Sequence, residues 1–343
     1  MKKIYMILIL LFVAAGCSNE NVKTPKEVVI KEIYQTHRDT IDNVDSPAFW
    51  ENGSLNLLIA TAKETHRLLV YNAENGEHIK NIGNEGEGEL QFKRPNGIAV
   101  IDDYLLVVER DNQRVQILSL PDFNFVGFVT DSLLTNPYGL NIVSKGNGYR
   151  LYVTDNYETE TEEIPADSLL DKRIHIYDLT INDNQLNYNL VKFAGATTGK
   201  GILSIVESVF LDQENDNLVI SEEDETQSSI KIYDSEGNSK EKVFGLGLFK
   251  YQVEGIALYK KENGNGFWIV TDQSHEKNRF MIFDRKTFEY KGAFIGKNTT
   301  NTDGVWLTQK SFGNFKKGAF FAIHDDGNVS AFNLSVIIND LKL

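Results

Sequence analysis

The run Leu218-Val219-Ile220-Ser221 leads straight into Glu222-Glu223-Asp224-Glu225. A short apolar run rich in β-branched residues is a strand signal, so these carboxylates are expected where a strand meets a rim. Adjacent carboxylates repel one another, and a folded chain keeps them only in water or around a cation. Glu207 and Asp212, just upstream, add further oxygen donors. An oxygen-only donor set suits calcium, which takes about six to eight such ligands from flexible loops. Other chemistries lack their residues. The six histidines (His37, His66, His78, His175, His275 and His324) have no zincin spacing. No Gly-x-Ser-x-Gly elbow, P-loop or dinucleotide fingerprint occurs.

The N-terminus speaks for export. Lys2 and Lys3 precede an apolar run from Ile4 to Phe12, then Val13-Ala14-Ala15-Gly16-Cys17. The run is shorter than the roughly 20 residues that span a bilayer. It has the form of a secretory signal with small residues at the cleavage site. Small residues before the only cysteine resemble a bacterial lipobox, which implies cleavage before Cys17 and lipidation of its thiol. The expected organisation is a signal over 1–16, a lipidated cysteine and polar tether over 17–26, and one folded unit over 27–343. The expected location is that of an exported bacterial lipoprotein, anchored to a membrane on the periplasmic or cell-surface side. A single cysteine excludes an intramolecular disulfide and a cysteine zinc cluster. The full chain carries a net charge of −14. Such a field repels nucleic acid and excludes it as an expected partner. Nothing in the sequence points to an oligomer, so a monomer is expected.

What must position the carboxylates is β-structure. Short runs such as Leu57-Leu58-Ile59-Ala60, Leu105-Leu106-Val107-Val108, Leu151-Tyr152-Val153-Thr154 and Phe267-Trp268-Ile269-Val270 recur between Gly, Asn and Asp turns. Only Leu334 to Leu341 reads as a helix. A strand ending in an aromatic plus Asp or Asn recurs at Tyr71-Asn72, Tyr177-Asp178, Tyr233-Asp234 and Phe283-Asp284. The spacing is about 50 residues, with one copy between the first two too degenerate to see. A repeat of that length, four strands each, predicts an all-β, six-bladed β-propeller, with function on the rim where loops converge. Ring closure is expected to use the N-terminal strand, Glu27 to Tyr34, in the last blade.

Gly86 to Val100, with Val107 to Leu118, looks like one NHL repeat, itself a propeller blade. A broader resemblance, from Asp42 to Asp326, is to the β-propeller phytases. Asp42-Asn43-Val44-Asp45-Ser46-Pro47-Ala48-Phe49-Trp50 resembles that family's opening motif. Thr61-Ala62-Lys63, Pro137-Tyr138-Gly139-Leu140, Glu207, Glu222-Glu223-Asp224, Val253-Glu254-Gly255, Asp272-Gln273, Asn301-Thr302-Asp303-Gly304 and His324-Asp325-Asp326 resemble later ones in order. The resemblance implies calcium-dependent hydrolysis of phosphate monoesters, with phytate (myo-inositol hexakisphosphate) as substrate. It implies that Asp45, Glu207, Glu222, Glu223, Glu254, Gln273, Asp303 and Asp325 are calcium ligands. Lys63, Arg110 and Tyr138 would contact the phosphorylated small-molecule substrate.

This chain departs from the family pattern at several positions. An expected aspartate is Ala99, an expected lysine is Asn156, the partner before Glu254 is Gln252, and the opening acidic pair is Asp45-Ser46. Two other readings follow. One is a lactonase-like calcium hydrolase, in which Asn96, Asn141 and a carboxylate hold one ion. The other is a noncatalytic, membrane-tethered propeller that binds a protein or glycan.

Overall fold

The computed structural model describes residues 26–224 and 226–343. The expected signal over 1–16, the lipidated Cys17 and all of the tether except Lys26 lie outside them. Six small antiparallel sheets form a six-bladed propeller. The inner strands are Val44–Glu51, Pro95–Ile101, Pro137–Lys145, Val206–Asp212, Gln252–Lys260 and Val305–Thr308. Each lies beside the inner strands of its two neighbours, so the ring is continuous.

The sequence runs are apolar at consecutive positions because both faces of each sheet are covered. Leu57 and Ile59 pack toward blade 2, while Leu58 and Ala60 pack toward blade 6. Six buried clusters result, one at each blade interface. The helix Leu334–Leu341 caps the cluster between blades 5 and 6 with Leu334, Ile337 and Leu341. Their i, i+3, i+7 spacing puts all three on one face. The Asn333 side chain accepts the Ser335 N–H at the helix start.

The recurring aromatic-Asp/Asn pair has a local cause. Asn72, Asp234 and Asp284 accept backbone N–H groups two to four residues on, closing the turn into the outer strand. The degenerate copy is Leu118-Ser119 in blade 2, whose strand Arg114–Ser119 ends without either residue type.

Closure differs from the expected single strand. Lys26–Ile30 pairs in parallel with Tyr290–Gly296 and adds a fifth strand to blade 5. Only Tyr34–Gln35 completes blade 6, against Asn328–Asn333. Glu32 separates the two pieces. It is buried and accepts the N–H groups of Asn298 and Thr299, which turns the chain from one blade to the next.

Candidate functional site on the propeller rim

One position repeats at the start of every inner strand: a polar residue followed by a small one. The pairs are Asp45-Ser46, Asn96-Gly97, Tyr138-Gly139, Glu207-Ser208, Glu254-Gly255 and Asp303-Gly304. In blades 1 to 5 the ladder shifts register there, as a β-bulge does. A bulge bends the strand and re-aims a side chain. The small residue is a matter of space. A Cβ on Gly139 would lie 2.3 Å from the Glu207 carbonyl oxygen, and one on Gly97 would lie 2.7 Å from that of Tyr138. Hydroxyls of the second strands hold the bulges: Thr61 donates to the Asn96 carbonyl at 2.7 Å, and Thr154 to that of Glu207 at 3.0 Å.

A second ring lies where the second strands end. In blades 1 to 5 it holds Lys63, Arg110, Asn156, Glu223 and Gln273; in blade 6 the same backbone position is Asp325, while His324, one step earlier, accepts the Thr300 N–H. The two rings together surround the mouth of the central channel. The channel also holds a cavity of about 260 Å³ with a mixed surface, lined by side chains such as Leu140, Val209, Ile256 and Trp306 beside Ser46, Asn141 and Ser208.

Charge is divided unevenly around the mouth. Lys63 is buried, 2.8 Å from Asp45 and 3.6 Å from Asp303. Burial opposes its charge, but Asp45 and Asp303 outweigh burial and hold the ammonium above its ordinary range. On the far side, burial pushes the Glu207 carboxyl well up, and the neighbouring Glu254, Glu223, Asp45 and Asp303 push it further. Glu254 rises for the same reasons. Glu223 is also raised by burial, although hydrogen bonds with Glu207 and Glu254 moderate the effect. Asp303 is pushed up to about 8 by burial, despite Lys63. The Tyr138 phenol is pushed well up by burial and these carboxylates, so it stays a neutral donor.

The structure brings Asp45, Lys63, Tyr138, Glu207, Glu223, Glu254, Gln273 and Asp303 to this mouth. Gln273 donates to Asp303, and Gln252 donates to Glu223 at 2.8 Å. Arg110 lines an adjoining groove with Tyr138, Asn156, Glu207 and Glu223, and its Nε holds Asp111 at 2.8 Å.

Two expected ligands are occupied otherwise. Both oxygens of Glu222 accept backbone N–H groups, from Ser204 at 2.8 Å and Ile205 at 3.0 Å. Asp155 does the same in blade 3, accepting from Thr135 and Asn136, and in blade 5 Asp272 accepts the Lys250 and Tyr251 N–H groups on Oδ1 while its Oδ2 holds Arg279. Glu222 therefore pins the segment entering an inner strand. Asp325 turns outward to Arg38 at 2.5 Å and His275 at 3.3 Å. Its neighbour Asp326 is the one that shares a hydrogen bond with Asp303. Sequence reasoning passed over Asp326, which differs from Asp325 only by one step in a tight turn. It also set Asn96 aside for the lactonase reading. Asn96 is fully buried in the inner ring, with both amide atoms lacking a partner. Asn141 lies deeper in the channel, its oxygen accepting the Leu211 N–H, so the two asparagines do not meet at the mouth.

The donor set fits a hard cation. It is all oxygen, it holds more carboxylates than Lys63 can neutralise, and Asn96 contributes an unpartnered buried amide. Among the described residues no three carboxylates, histidines or cysteines already converge as a metal centre.

The sequence model of the phytase family matches residues 187–339. No curated protein matches the chain. Among solved structures it is similar to a gluconolactonase from Xanthomonas campestris (13% identity, 91% of this chain and 98% of that one, TM-score 0.55). It is also similar to regucalcin from Agrobacterium tumefaciens, a calcium-binding protein (10% identity, 89% and 95%, TM-score 0.53). A third is hydrazine synthase from Kuenenia stuttgartiensis (11% identity, 89% and 80%, TM-score 0.53). At these identities the structural likenesses establish the propeller fold.

Proposed function

We propose that the rim hydrolyses phosphate monoesters in a calcium-dependent reaction. The observation that carries this reading is the buried to half-buried arc of Glu207, Glu223, Glu254 and Asp303, all within the span similar to phytases, together with Lys63 and Tyr138 from blades 1 and 3. Asp45, Asn96, Glu207, Glu223, Glu254, Gln273 and Asp303 would hold calcium. When bound, calcium screens the phosphate charge and lowers the pKa of water.

The chain's own groups do the rest. Protons that burial keeps on the carboxylate arc leave as a cation arrives. Lys63, fixed between Asp45 and Asp303, presents its ammonium as a point charge to a phosphoryl oxygen. Tyr138 donates its phenol proton in a hydrogen bond from the opposite side of the mouth. Arg110 offers its fork from the groove. No side-chain nucleophile is needed, because an attacking water meets a phosphate already held on three sides.

Phytate is the substrate implied by the family likeness and the first one to assay, beside phenyl phosphate. The expected result is phosphate release with calcium and none with excess chelator. Glu223→Gln should reduce release by about 10- to 100-fold, as loss of a metal-positioning group does. A folded protein that releases phosphate from neither ester at any calcium level would sink this reading. A lactone panel and glycan binding would then separate the remaining alternatives.

A further inference from the structure

Five of the six blades join their second and third strands with three to six residues: 63–66, 110–113, 223–228, 274–278 and 325–327. Blade 3 uses 18, from 156 to 173. Connections of that length with little secondary structure, here one 3-10 turn over Asp167–Leu169, are uncommon in a compact domain and usually functional. This one is anchored at both ends. Arg173 is buried, stacks on Tyr157 and donates to the carbonyls of Asp155, Tyr157, Leu203 and Ser204. Tyr157 in turn donates to the Leu169 carbonyl at 2.6 Å and accepts the Lys172 N–H at 3.3 Å.

The anchored loop stands over the rim. Glu158 and Ile164 line the groove that also contains Arg110, Tyr138, Glu207 and Glu223. Between its anchors the loop carries Glu158, Glu160, Glu162, Glu163, Asp167 and Asp171. Lys172 lies 3.7 Å from Asp171. Among the described residues Glu158, Glu160, Glu162 and Glu163 have no ion-pair partner. The loop begins at Asn156, in the place where blades 1 and 2 carry Lys63 and Arg110. Asn156 is not free to reach a ligand through its oxygen, which accepts the Val206 N–H at 2.7 Å. This side of the mouth has therefore lost a cation and gained a row of carboxylates.

Resting on the phosphate-ester reading, we infer that loop 156–173 sets substrate specificity. It admits esters carrying one phosphate on an uncharged leaving group and disfavours polyphosphorylated ones. One phosphate is held at the mouth, by Lys63, Tyr138 and Arg110. The leaving group then extends along the groove, past Ile164 and Ile205. Every additional phosphate carries about −1.5 to −2 charges at neutral pH and falls under the acidic loop. Exposed charges still act over about 8 Å at physiological salt.

The test uses the chain from Ser18 onward with Glu158, Glu160, Glu162 and Glu163 all changed to Gln, which leaves the Tyr157 and Arg173 anchors intact. Binding and kcat/KM are measured for phenyl phosphate and for inositol hexakisphosphate at saturating calcium, in low and high salt. The native protein should prefer the monophosphate. The variant should move the ratio at least about tenfold toward the hexakisphosphate at low salt, with little change for phenyl phosphate, and high salt should shrink the difference. Hydrolysis of both esters with an unchanged ratio, or a native preference for the hexakisphosphate, overturns the inference while leaving the phosphate-ester reading standing. Absence of binding and turnover for both esters overturns the two together.

Discussion

The two halves of the propeller mouth are built on one geometric plan and filled differently. Blades 4 to 6 place Glu207 and Glu223, Glu254 and Gln273, and Asp303 at the repeated pair of positions, with the outward-turned Asp325 as the second member in blade 6. Blades 1 to 3 place Asp45 and Lys63, Asn96 and Arg110, Tyr138 and Asn156 there. The acidic half has short connections, and burial pushes the carboxyls of Glu207, Glu223, Glu254 and Asp303 upward, with neighbouring carboxylates adding to it at Glu207, Glu254 and Asp303. The other half is neutral to cationic and carries the long acidic loop. The span similar to phytases, 187–339, covers the acidic half and barely enters blade 3. Crowding carboxyls at one side of the mouth takes acidic residues on several blades at once, whereas the other half mixes residue types.

Removing the one charge that ties the halves together should have the largest effect. Lys63→Met leaves Asp45 and Asp303 facing each other without their ammonium. Breaking a buried pair on one side costs about 3–5 kcal/mol. Denaturant unfolding with chelator should show that loss, and calcium should recover much of it. If the chelated variant is as stable as the native protein, the two halves are not coupled through Lys63.

Next in size is a pH effect on the acidic half alone. Asp303 titrates near 8 when folded and near 3.8 in the ordinary case. The folded state therefore holds its proton more tightly than the unfolded state. The associated stability is fully present below about pH 4 and is lost as pH rises through 8. Thermal melts with chelator should fall between pH 5 and pH 8.5, and calcium should flatten the slope. A chelated protein more stable at pH 8.5 than at pH 5 would contradict the picture of a repelling arc.

The smallest change separates pinning from ligation. Glu222→Ala should cost about 1–3 kcal/mol, from the N–H groups of Ser204 and Ile205 left unpaired. Titration calorimetry should find the same calcium stoichiometry as in the native protein. A lost binding site would return Glu222 to the ligand set.

Much of this was legible in the residues, and the unread parts share a cause. Strand runs, blade count and the C-terminal helix follow from composition and spacing, because both faces of each sheet are buried and the signal is strong. The ring positions were found where a carboxylate or lysine follows such a run. Direction was not visible. Glu222 and Glu223 are adjacent at a strand end, so their side chains leave on opposite sides, and nothing local says which side is the channel. Asp325 and Asp326 differ in the same way within a turn. The split of the N-terminal strand depends on Glu32 meeting Asn298 and Thr299, a contact between chain ends that no local pattern encodes.

That split governs the order in which the molecule can be completed. The side chain of Asn328 reaches the Thr36 carbonyl across 292 residues of chain, and Tyr34 pairs with Ala331. The first strands to emerge during synthesis are thus the last to find their partners. Blades 1 to 4 can assemble as they appear, but blades 5 and 6 wait with open edges for Lys26–Ile30 and Tyr34–Gln35 to come back. Closing so long a loop is slow because its entropy cost comes before any contact rewards it. The nascent chain is consequently exposed to edge-to-edge association until its own beginning seals the ring.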